Sequence, residues 1–208
     1  MAEIVIPTKQ LSVLDESMDL QDALKAFVYS EDDVLPVLDK THQIFRGNIY
    51  LLDLYKHLAK DPNSTTSITQ FIKNTNKYIT KKDCLLQTLF QFGNLPYLAV
   101  LNEQHHFIGI LRHHSFMKLL EKIWSFDHAK YVLTLDYENV DRAMYQLSKV
   151  IHRRCEVLGC MSLTNASPVG HKQLLLLLGQ ETTEKNLREC LRKLEKRHFK
   201  IDHLLTLP

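Results

Sequence analysis

The chain has 208 residues, enough for one large domain or two small ones with separate cores. Its hydrophobic fraction of 45% and charged fraction of 24% are near globular averages, which excludes a disordered or fibrous chain. The net charge of +2 provides no concentrated basic excess, so we expect no nucleic-acid partner. The most basic stretch, residues 188–200, is interrupted by Glu189 and Glu195 and is typical of a solvated helix face.

The cysteines and the N-terminal residues bear on the cellular compartment. Cys84, Cys155, Cys160 and Cys190 lie singly, without Cys-x-x-Cys spacing, which indicates neither a disulfide framework nor a zinc site. The N-terminal residues lack a basic segment followed by an apolar one, and no stretch approaches the roughly 18 apolar residues of a membrane span. We therefore expect a cytoplasmic protein in a reducing environment, with no membrane partner.

Residues 11–58 predict short strands and helices in alternation. Residues 11–14 are extended, and capping residues between Asp15 and Asp19 precede a helix. The inward side chains of this helix are expected to be Leu20, Ala23, Leu24 and Phe27. The elements that follow are a strand at 34–39 with a hairpin turn, a strand at 48–52, a helix at 53–58 and a polar linker at 61–67.

Residues 77–115 predict the same order of elements again. An extended segment at 77–80 precedes a helix from Asp83 to Phe92. The side chains expected to face inward from this helix are Leu85, Leu86 and Leu89. Two strands, 95–102 and 107–111, are joined by a hairpin, and a further helix is expected to begin near Ser115.

A short pattern occurs twice, about 63 residues apart. Leu-Asp at residues 38–39, followed by Gly47, corresponds to Leu-Asn at residues 101–102, followed by Gly109. This period is too long for a solenoid repeat and too short for two independent domains. It predicts two duplicated half-domains that bury a face against each other and leave a functional cleft between them.

The residues around these glycines resemble a known family. Residues 34–39 with Gly47 and Asp53 resemble a cystathionine-beta-synthase (CBS) domain, and residues 98–102 with Gly109 resemble the second member of the usual pair. The resemblance extends over about the first 120 residues. It implies a pair packed through its sheets, with clefts for adenosine-containing ligands such as AMP, ATP, S-adenosylmethionine or cyclic di-AMP.

The resemblance also implies ligand contacts. In binding members, a Ser or Thr three residues after the glycine and an Asp six residues after it contact phosphate and ribose. A carboxylate accepts from both ribose hydroxyls, and a helix N-terminus with nearby donors neutralises phosphate. Here Asp53 has the ribose position of the first copy, and Tyr50 replaces its hydroxyl residue. In the second copy Ser115 replaces the Asp and Arg112 replaces the hydroxyl residue, so neither copy matches the complete motif.

The changed residues have two interpretations, and the sequence leaves both open. In the first, Arg112 binds a phosphate, Tyr50 or Tyr78 stacks on the base, and His113 or His114 is a further phosphate donor. In the second, Arg112 forms a surface ion pair, the tyrosines pack in the fold and the histidines are ordinary turn residues. The candidate ligand-binding residues are Asp53, Tyr50, Tyr78, Arg112, His113 and Ser115.

The 11 histidines and the absence of catalytic motifs bear on metal binding and catalysis. The pairs at 105–106 and 113–114 would point to opposite faces of an extended segment, and neither has the partners that complete a metal ligand set. No Gly-x-Ser-x-Gly, Walker or Gly-x-Gly-x-x-Gly motif is present, and glycine totals only 6. We expect no metal, no cofactor and no enzymatic activity.

Residues 130–208 follow a different pattern. A strand at 130–135, a helix capped by Asn139, a hairpin of two strands, a helix capped by Thr183 and a strand at 199–205 give the order βαββαβ. The hairpin strands are residues 155–163 and 172–178, around a loop at 165–170. The inward residues are expected to be Val140, Ala143, Met144, Leu147 and Ile151 in the first helix and Leu187, Cys190, Leu191 and Leu194 in the second.

This order is that of the ferredoxin-like fold, and its place after a CBS pair resembles an ACT domain. ACT domains that bind amino acids typically carry a glycine in the turn between the first strand and helix, where the ligand approaches the backbone. The corresponding turn, residues 136–139, has none. A dimerising or partner-facing role, through an edge strand of the sheet, is therefore as good an interpretation as amino-acid binding.

These patterns together predict an α+β fold with three domains. The predicted domains are CBS 1 at residues 1–62, CBS 2 at residues 63–125 and an ACT-like ferredoxin-fold domain at residues 126–208. The arrangement resembles bacterial regulatory proteins of the acetoin-utilisation type and cyclic di-AMP-binding CBS proteins. It implies a non-enzymatic homodimer in which an adenine nucleotide changes the surface offered to a protein partner. Two alternatives are an interaction scaffold with vestigial clefts and an enzyme whose site forms only at a dimer interface.

Overall fold

The structure is a computed structural model, and it describes residues 4–137, 140–164 and 172–207. The chain divides into two compact units, Met1–Met117 and Lys118–Pro208. Among the residues described, every helix falls short of the length and apolar character that a bilayer crossing needs. Each unit is built around its own sheets.

The first unit opens with a short strand and a first copy of the repeated pattern. Its elements are β1 (Ile6–Pro7), β2 (Leu14–Asp15), α1 (Leu20–Val28), β3 (Val34–Leu38), β4 (Phe45–Tyr50) and α2 (Leu51–Leu58). Strand β2 pairs parallel with β3, and β3 pairs antiparallel with β4. The predicted helix cap is confirmed, because the Asp19 side chain accepts a hydrogen bond from the Asp22 N–H at 2.9 Å.

The boundary between β4 and α2 differs from the prediction. The sequence predicts a strand at 48–52, whereas the strand is Phe45–Tyr50 and the helix starts at Leu51. Gly47 lies inside the strand, opposite Val37, instead of preceding it. The apolar run of residues 49–52 continues across this boundary, so the spacing of apolar residues does not indicate where the strand ends and the helix begins.

The second copy follows in the same order. Its elements are β5 (Tyr78–Thr80), α3 (Leu85–Phe92), β6 (Tyr97–Leu101), β7 (Phe107–Arg112) and α4 (His113–Ile123). Helix α4 begins at His113, two residues before the predicted start. The prediction that Leu86 faces inward is wrong, since its side chain is 55% exposed. Thr88 and Phe92 are buried instead, because they lie on the same face of the helix as Leu85 and Leu89. Leu86 lies outside that face.

The two copies pair their strands in the same register, which confirms the predicted repeat. Val37 lies opposite Gly47 in the first copy, and Val100 lies opposite Gly109 in the second. The register shifts after each of these pairs, between Val37 and Leu38 and between Val100 and Leu101. Tyr50 and Arg112 therefore occupy equivalent positions, at the last residue of β4 and of β7.

Each copy receives a strand segment from in front of the other copy. Strand β1, which precedes the first copy, pairs with β7 of the second, with Ile6 opposite Ile110. The segment that precedes the second copy pairs with β4 of the first, with Lys73 opposite Asn48. We call these two segments the crossed lead-ins. The sheet of the second copy consequently has the order β1-β7-β6-β5.

The repeated glycines make room for the crossed lead-ins. Gly109 has a φ of +154°, and a Cβ atom there would lie 2.1 Å from the carbonyl oxygen of Ile6. Gly47 has a φ of +140°, and its Cβ would lie 2.6 Å from the carbonyl oxygen of Lys73. Only glycine combines this backbone conformation with such a close approach of a neighbouring segment.

An apolar cluster joins the sheets of the two copies. Its buried members come from both copies: Val34, Leu38, Phe45, Tyr97, Ala99, Leu101, Phe107 and Ile110. The rings of Phe45 and Phe107 stack with centroids 5.9 Å apart at the junction. This cluster agrees with the expectation that the copies bury a face against each other, and it fills the middle of the junction with side chains.

The second unit has the predicted βαββαβ order. Its elements are β8 (Ala129–Tyr137), α5 (Val140–Ile151), β9 (Val157–Thr164), β10 (Lys172–Gly179), α6 (Glu184–Glu195) and β11 (Lys200–Thr206). The sheet order is β11-β8-β10-β9 with every neighbour antiparallel, as in ferredoxin-like folds. Thr183 caps α6 as predicted, by accepting a hydrogen bond from the Asn186 N–H at 3.2 Å.

Helices α5 and α6 contribute to one apolar core with the sheet. The predicted inward residues Leu187, Cys190 and Leu194 of α6 are buried. The prediction for Met144 of α5 is wrong, because it is 46% exposed and Val150 is buried instead. Met144 lies on the flank of the stripe that the core covers. The predicted cap Asn139 and the loop at 165–170 lie outside the described residues.

Candidate functional site

The candidate ligand residues of the first copy form part of a connected polar group. Asp53, in the first turn of α2, accepts a hydrogen bond from Lys73 Nζ at 2.7 Å. The same Nζ lies 5.7 Å from the centroid of the Tyr50 ring. The Tyr50 hydroxyl in turn accepts from Asn74 Nδ2 at 2.7 Å. The lead-in to the second copy therefore supplies the partners of both candidates in the first copy.

The candidate arginine of the second copy contacts the first copy. Arg112 Nη2 donates to Asp32 Oδ2 at 2.8 Å, and Asp32 lies just before β3. Both side chains are partly exposed, at 44% and 29%. One ion pair therefore links the two copies at the rim of the apolar junction, and the guanidinium retains further N–H donors.

A buried hydrogen bond lies between these two groups. Tyr97 donates from its hydroxyl to Asn48 Oδ1 at 2.8 Å, and the residues are only 3% and 1% exposed. Burial raises the pKa of Tyr97 well above its usual value; the charges of Asp32 and Tyr50 raise it further, and Arg112 lowers it. Tyr97 thus remains a neutral donor, with Asp32, Tyr50 and Arg112 near enough to act on it electrostatically.

The remaining candidates are His113, Ser115 and Tyr78. His113 and Ser115 follow Arg112 closely in sequence, and Tyr78 packs against the same apolar cluster as Tyr50. His113 follows Arg112 directly; its ring packs edge-on against Phe92, with centroids 5.0 Å apart. Ser115 is half-buried in the first turn of α4. Tyr78 and Tyr50 both pack against the apolar cluster of the junction.

The two ion pairs, together with the tyrosine ring near Lys73, are named as one set. We call Asp32, Tyr50, Asp53, Lys73 and Arg112 the rim group.

A cavity of about 210 Å³ adjoins the second sheet. It is lined by Val5, Pro7, Ile79, Thr80, Lys81, Val100, Ile108 and Leu111. The register shift between Phe107 and Gly109 interrupts the alternation of side chains in β7, so Phe107 and Ile110 both face the junction, whereas Ile108 and Leu111 line the cavity. The cavity therefore lies on the other face of this sheet, with Thr80 and Lys81 as its polar lining. Within the described part of the chain, no cluster of His, Cys, Asp or Glu side chains is arranged to hold a metal ion.

Sequence reasoning missed Asp32, Lys73, Asn74 and Tyr97. Lys73 and Asp53 are 20 residues apart, and Arg112 and Asp32 are 80 residues apart. The available signal was the position of Asn48, a polar residue directly after the repeated glycine and inside a predicted strand. A buried amide needs hydrogen-bond partners, so Asn48 indicates that polar groups meet there.

Comparison with solved structures relates this fold to CBS-domain proteins. The structure of CbpB from Streptococcus agalactiae is 17% identical, covers 60% of this chain and 82% of its own, and has a TM-score of 0.51. A CBS domain protein from Streptococcus pneumoniae TIGR4 is 21% identical, covers 58% and 86%, and has the same TM-score. CbpB in complex with c-di-AMP is 17% identical, covers 59% and 84%, and also has a TM-score of 0.51.

These likenesses show a shared fold. The chain is similar to CBS-domain proteins in its mixed α/β architecture, in agreement with the resemblance noted for the sequence. No family model and no curated protein gives a match.

Proposed function

We propose that the protein is a non-enzymatic regulator that binds an adenine nucleotide at the rim group of a CBS pair. The pair would comprise residues 1–62 and 63–125, and the ACT-like domain residues 126–208. The bound nucleotide would change the surface that a homodimer offers to a protein partner. We further propose a bacterial, cytoplasmic protein.

One observation supports this proposal most directly: the buried bond between Tyr97 and Asn48 connects the two ion pairs, because Lys73 pairs with Asn48 and Arg112 lies opposite Tyr97. Partly exposed ion pairs such as Arg112–Asp32 contribute only about 0.2–1 kcal/mol. A phosphate can accept two N–H bonds from the guanidinium, in place of the single N–H bond that Asp32 accepts from Arg112. Phosphate would therefore displace Asp32 from Arg112 at little cost.

The first copy supplies a complementary set of contacts. The Asp53 carboxylate accepts hydrogen bonds, as the two hydroxyls of a ribose require. If the ribose takes this position, Lys73 Nζ is released from Asp53 to a second phosphate oxygen. Tyr50 and Tyr78, at the margin of the apolar cluster, would stack on the base. His113 and Ser115 would be donors at the start of α4.

The ligand class is proposed from the same chemistry. A dinucleotide with two phosphates would satisfy both cations of the rim group, and CbpB, which shares the fold, has been crystallised with c-di-AMP. We therefore place cyclic di-AMP first among the ligands to test. AMP, ATP and S-adenosylmethionine follow, because each contains adenosine.

Isothermal titration calorimetry with these four ligands tests the proposal. We expect binding by the unmodified chain and at least about tenfold weaker binding by Arg112→Ala, because a charge-assisted bond is lost. Asp53→Ala is expected to weaken binding by a similar factor. Glu103→Ala is the matched control: its carboxylate forms an exposed ion pair with Lys82 in the same unit, away from the rim group. No heat and no thermal shift with any ligand would refute the proposal.

A second candidate function is an interaction scaffold whose clefts bind nothing. It is favoured by the pairing of Asp53 with Lys73 and of Arg112 with Asp32, and by the filled junction. A scaffold predicts that Asp53→Ala and Arg112→Ala leave partner binding and oligomeric state unchanged. A pull-down with each variant, made with and without nucleotide, separates this function from the first.

The homodimer is proposed through an edge of the second unit. Among the strands that the structure describes, β11 pairs only with β8, and Leu204 and Leu205 are 39% and 46% exposed. An edge strand with apolar side chains can pair with the same strand of a second subunit. We expect Leu205→Lys to shift the chain to a monomer in sedimentation velocity. Val157→Lys, on the opposite edge strand β9, is the control, and a monomeric unmodified chain would contradict the proposal.

A further inference from the structure

Two cysteines that are distant in sequence meet in the second unit. Cys155 lies in the turn after α5, and Cys190 lies in the middle of α6 on its buried face. Their Sγ atoms are 3.2 Å apart, and both residues are free thiols. The Cys190 Sγ also lies 3.7 Å from the carbonyl oxygen of Val150.

The spacing of the two sulfurs suits bond formation. A disulfide has an S–S length of about 2.05 Å, so the sulfurs need to approach by only about 1.2 Å. Cys155 is held by its N–H, which donates to the carbonyl oxygen of Ile151 at 3.1 Å. Both cysteines are thus fixed by α5 and α6, and the contact exists without any unfolding of either helix.

Hydrogen bonding and nearby charges distinguish the two thiols. The hydrogen bond between the two thiols raises the pKa of Cys155 and lowers the pKa of Cys190. Burial and Glu189 oppose the lowering at Cys190, whereas the cations of Arg154 and Lys193 favour it. The lowered pKa favours the thiolate of Cys190, which is the form that attacks a sulfenic acid on Cys155.

A surface groove gives access to one member of the pair. The groove has a volume of about 370 Å³, and Cys155 lines it together with Ser148, His152 and Cys160. Cys190 is buried behind Cys155 and does not line the groove. A small oxidant that enters the groove consequently meets Cys155 first, with Cys190 in contact behind it.

We propose that Cys155 and Cys190 are a redox modification site, at which a hydroperoxide converts the two thiols to a reversible intramolecular disulfide. The inference is independent of nucleotide binding. It is compatible with a reducing compartment, since disulfides that form there are typically transient and regulatory.

The proposed reaction has two balanced steps. The Cys155 sulfur attacks the terminal peroxide oxygen, the O–O bond breaks, and the Cys155 thiol proton passes to the leaving alkoxide, giving an alcohol and a sulfenic acid at Cys155. The Cys190 sulfur then attacks the Cys155 sulfur, and the hydroxyl of the sulfenic acid leaves with the Cys190 proton as water. Two thiols are oxidised by two electrons, and the peroxide is reduced. A low-molecular-weight thiol reverses the bond by exchange.

The bond would link two helices of the second unit. It would enclose the 35-residue span that contains β9 and β10, and fix the end of α5 to α6. A cross-link over a span of this length restricts the unfolded chain, so the oxidised unit should melt on the order of 10 °C higher than the reduced unit.

The test uses a full-length variant with only this pair. Cys84 and Cys160 are exposed, and Cys84 caps α3, a position that serine also favours, so we expect Cys84→Ser with Cys160→Ser to preserve the fold. The variant is treated with hydrogen peroxide. We expect its free thiols to fall to none, its mass to fall by about 2 Da, and dithiothreitol to restore both. Peptide mapping should join the peptides that contain Cys155 and Cys190.

Further variants and the unmodified chain complete the test. In the same background, Cys155→Ser is expected to keep its single thiol, and Cys190→Ser is expected to stop at a sulfenic acid on Cys155 with a gain of about 16 Da; neither should show a rise in Tm. If the background variant fails to fold, peptide mapping of the peroxide-treated unmodified chain measures the same bond. Persistence of both thiols, a gain of about 16 Da without a cross-link, or links through Cys84 or Cys160 in place of this pair would overturn the proposal.

Discussion

Replacing Tyr97 with phenylalanine tests the buried hydrogen bond between the two copies. The substitution keeps the ring in the apolar cluster and removes only the hydroxyl that donates to Asn48 at 2.8 Å. Asn48 is 1% exposed, so water cannot replace the lost donor without opening the junction. The expected cost therefore includes the desolvation of an unsatisfied amide oxygen, and not only a net hydrogen bond.

The magnitude follows from these two contributions. A net hydrogen bond is worth about 0.5–1.5 kcal/mol, and a buried acceptor left without a donor costs about 1–3 kcal/mol. We expect Tyr97→Phe to lower the free energy of unfolding by about 2 kcal/mol. With a urea m value of about 2 kcal/mol/M, the midpoint of the first unit should fall by about 1 M.

Urea unfolding, followed by circular dichroism, measures the effect, and hydrogen exchange of the β6 amides assigns the transition to the first unit. Tyr55→Phe is the matched control, since Tyr55 is 54% exposed and its change should stay within about 0.5 kcal/mol. A double-mutant cycle with Asn48→Ala should show a coupling of about 1 kcal/mol or more. Equal midpoints for Tyr97→Phe and Tyr55→Phe would refute the reasoning.

The remaining predictions concern backbone geometry and acid stability. Gly109→Ala should cost about 2 kcal/mol or more in urea unfolding, because the new Cβ would meet the Ile6 carbonyl oxygen at 2.1 Å. Gly159→Ala, whose Cβ would meet no atom nearer than 3.4 Å, should be nearly neutral, and equal losses would contradict the role of the close approach. The Ile44 N–H and the Thr41 hydroxyl donate to Asp39 and hold the pKa of its carboxyl below the usual range. The stabilising contribution is therefore present above the unfolded pKa of about 4 and is lost as the pH falls towards the folded pKa. At about pH 6 the Tm of the unmodified chain should exceed that of Asp39→Asn by its largest amount, and the difference should decrease below about pH 4. A Tm difference that does not change with pH would contradict this assignment.

Elements with a local signal were predictable from the sequence. Asp19 and Thr183 cap their helices as expected, because a capping side chain bonds to an N–H only three residues away. The repeat was predictable as well, since its glycines are required by the same close approach in both copies. The predictions that Leu86 and Met144 face inward were wrong. Each lies at the edge of the apolar face of its helix, where burial depends on which neighbouring elements pack against that face.

The composition of the rim group could be predicted only in part. Asp53, Tyr50 and Arg112 occupy fixed offsets from the glycines, so the repeat identifies them. Their partners Lys73 and Asp32 depend on how the copies pair across 20 and 80 residues, which no local pattern encodes. Roles for all of these residues in ligand binding stay predictions until binding is measured.

The crossed lead-ins mean that neither copy is complete when it is separated from the other. A fragment that ends near residue 62 would lose the backbone bonds between Asn48 and Lys73, and one that begins there would lose the strand seated on Gly109. Each fragment would expose a bare strand edge and should associate with other chains, so both copies need to be expressed together. Inside the intact chain, displacement of either lead-in would break backbone hydrogen bonds in the opposite copy. The two copies are therefore coupled through their backbones, without movement about a hinge.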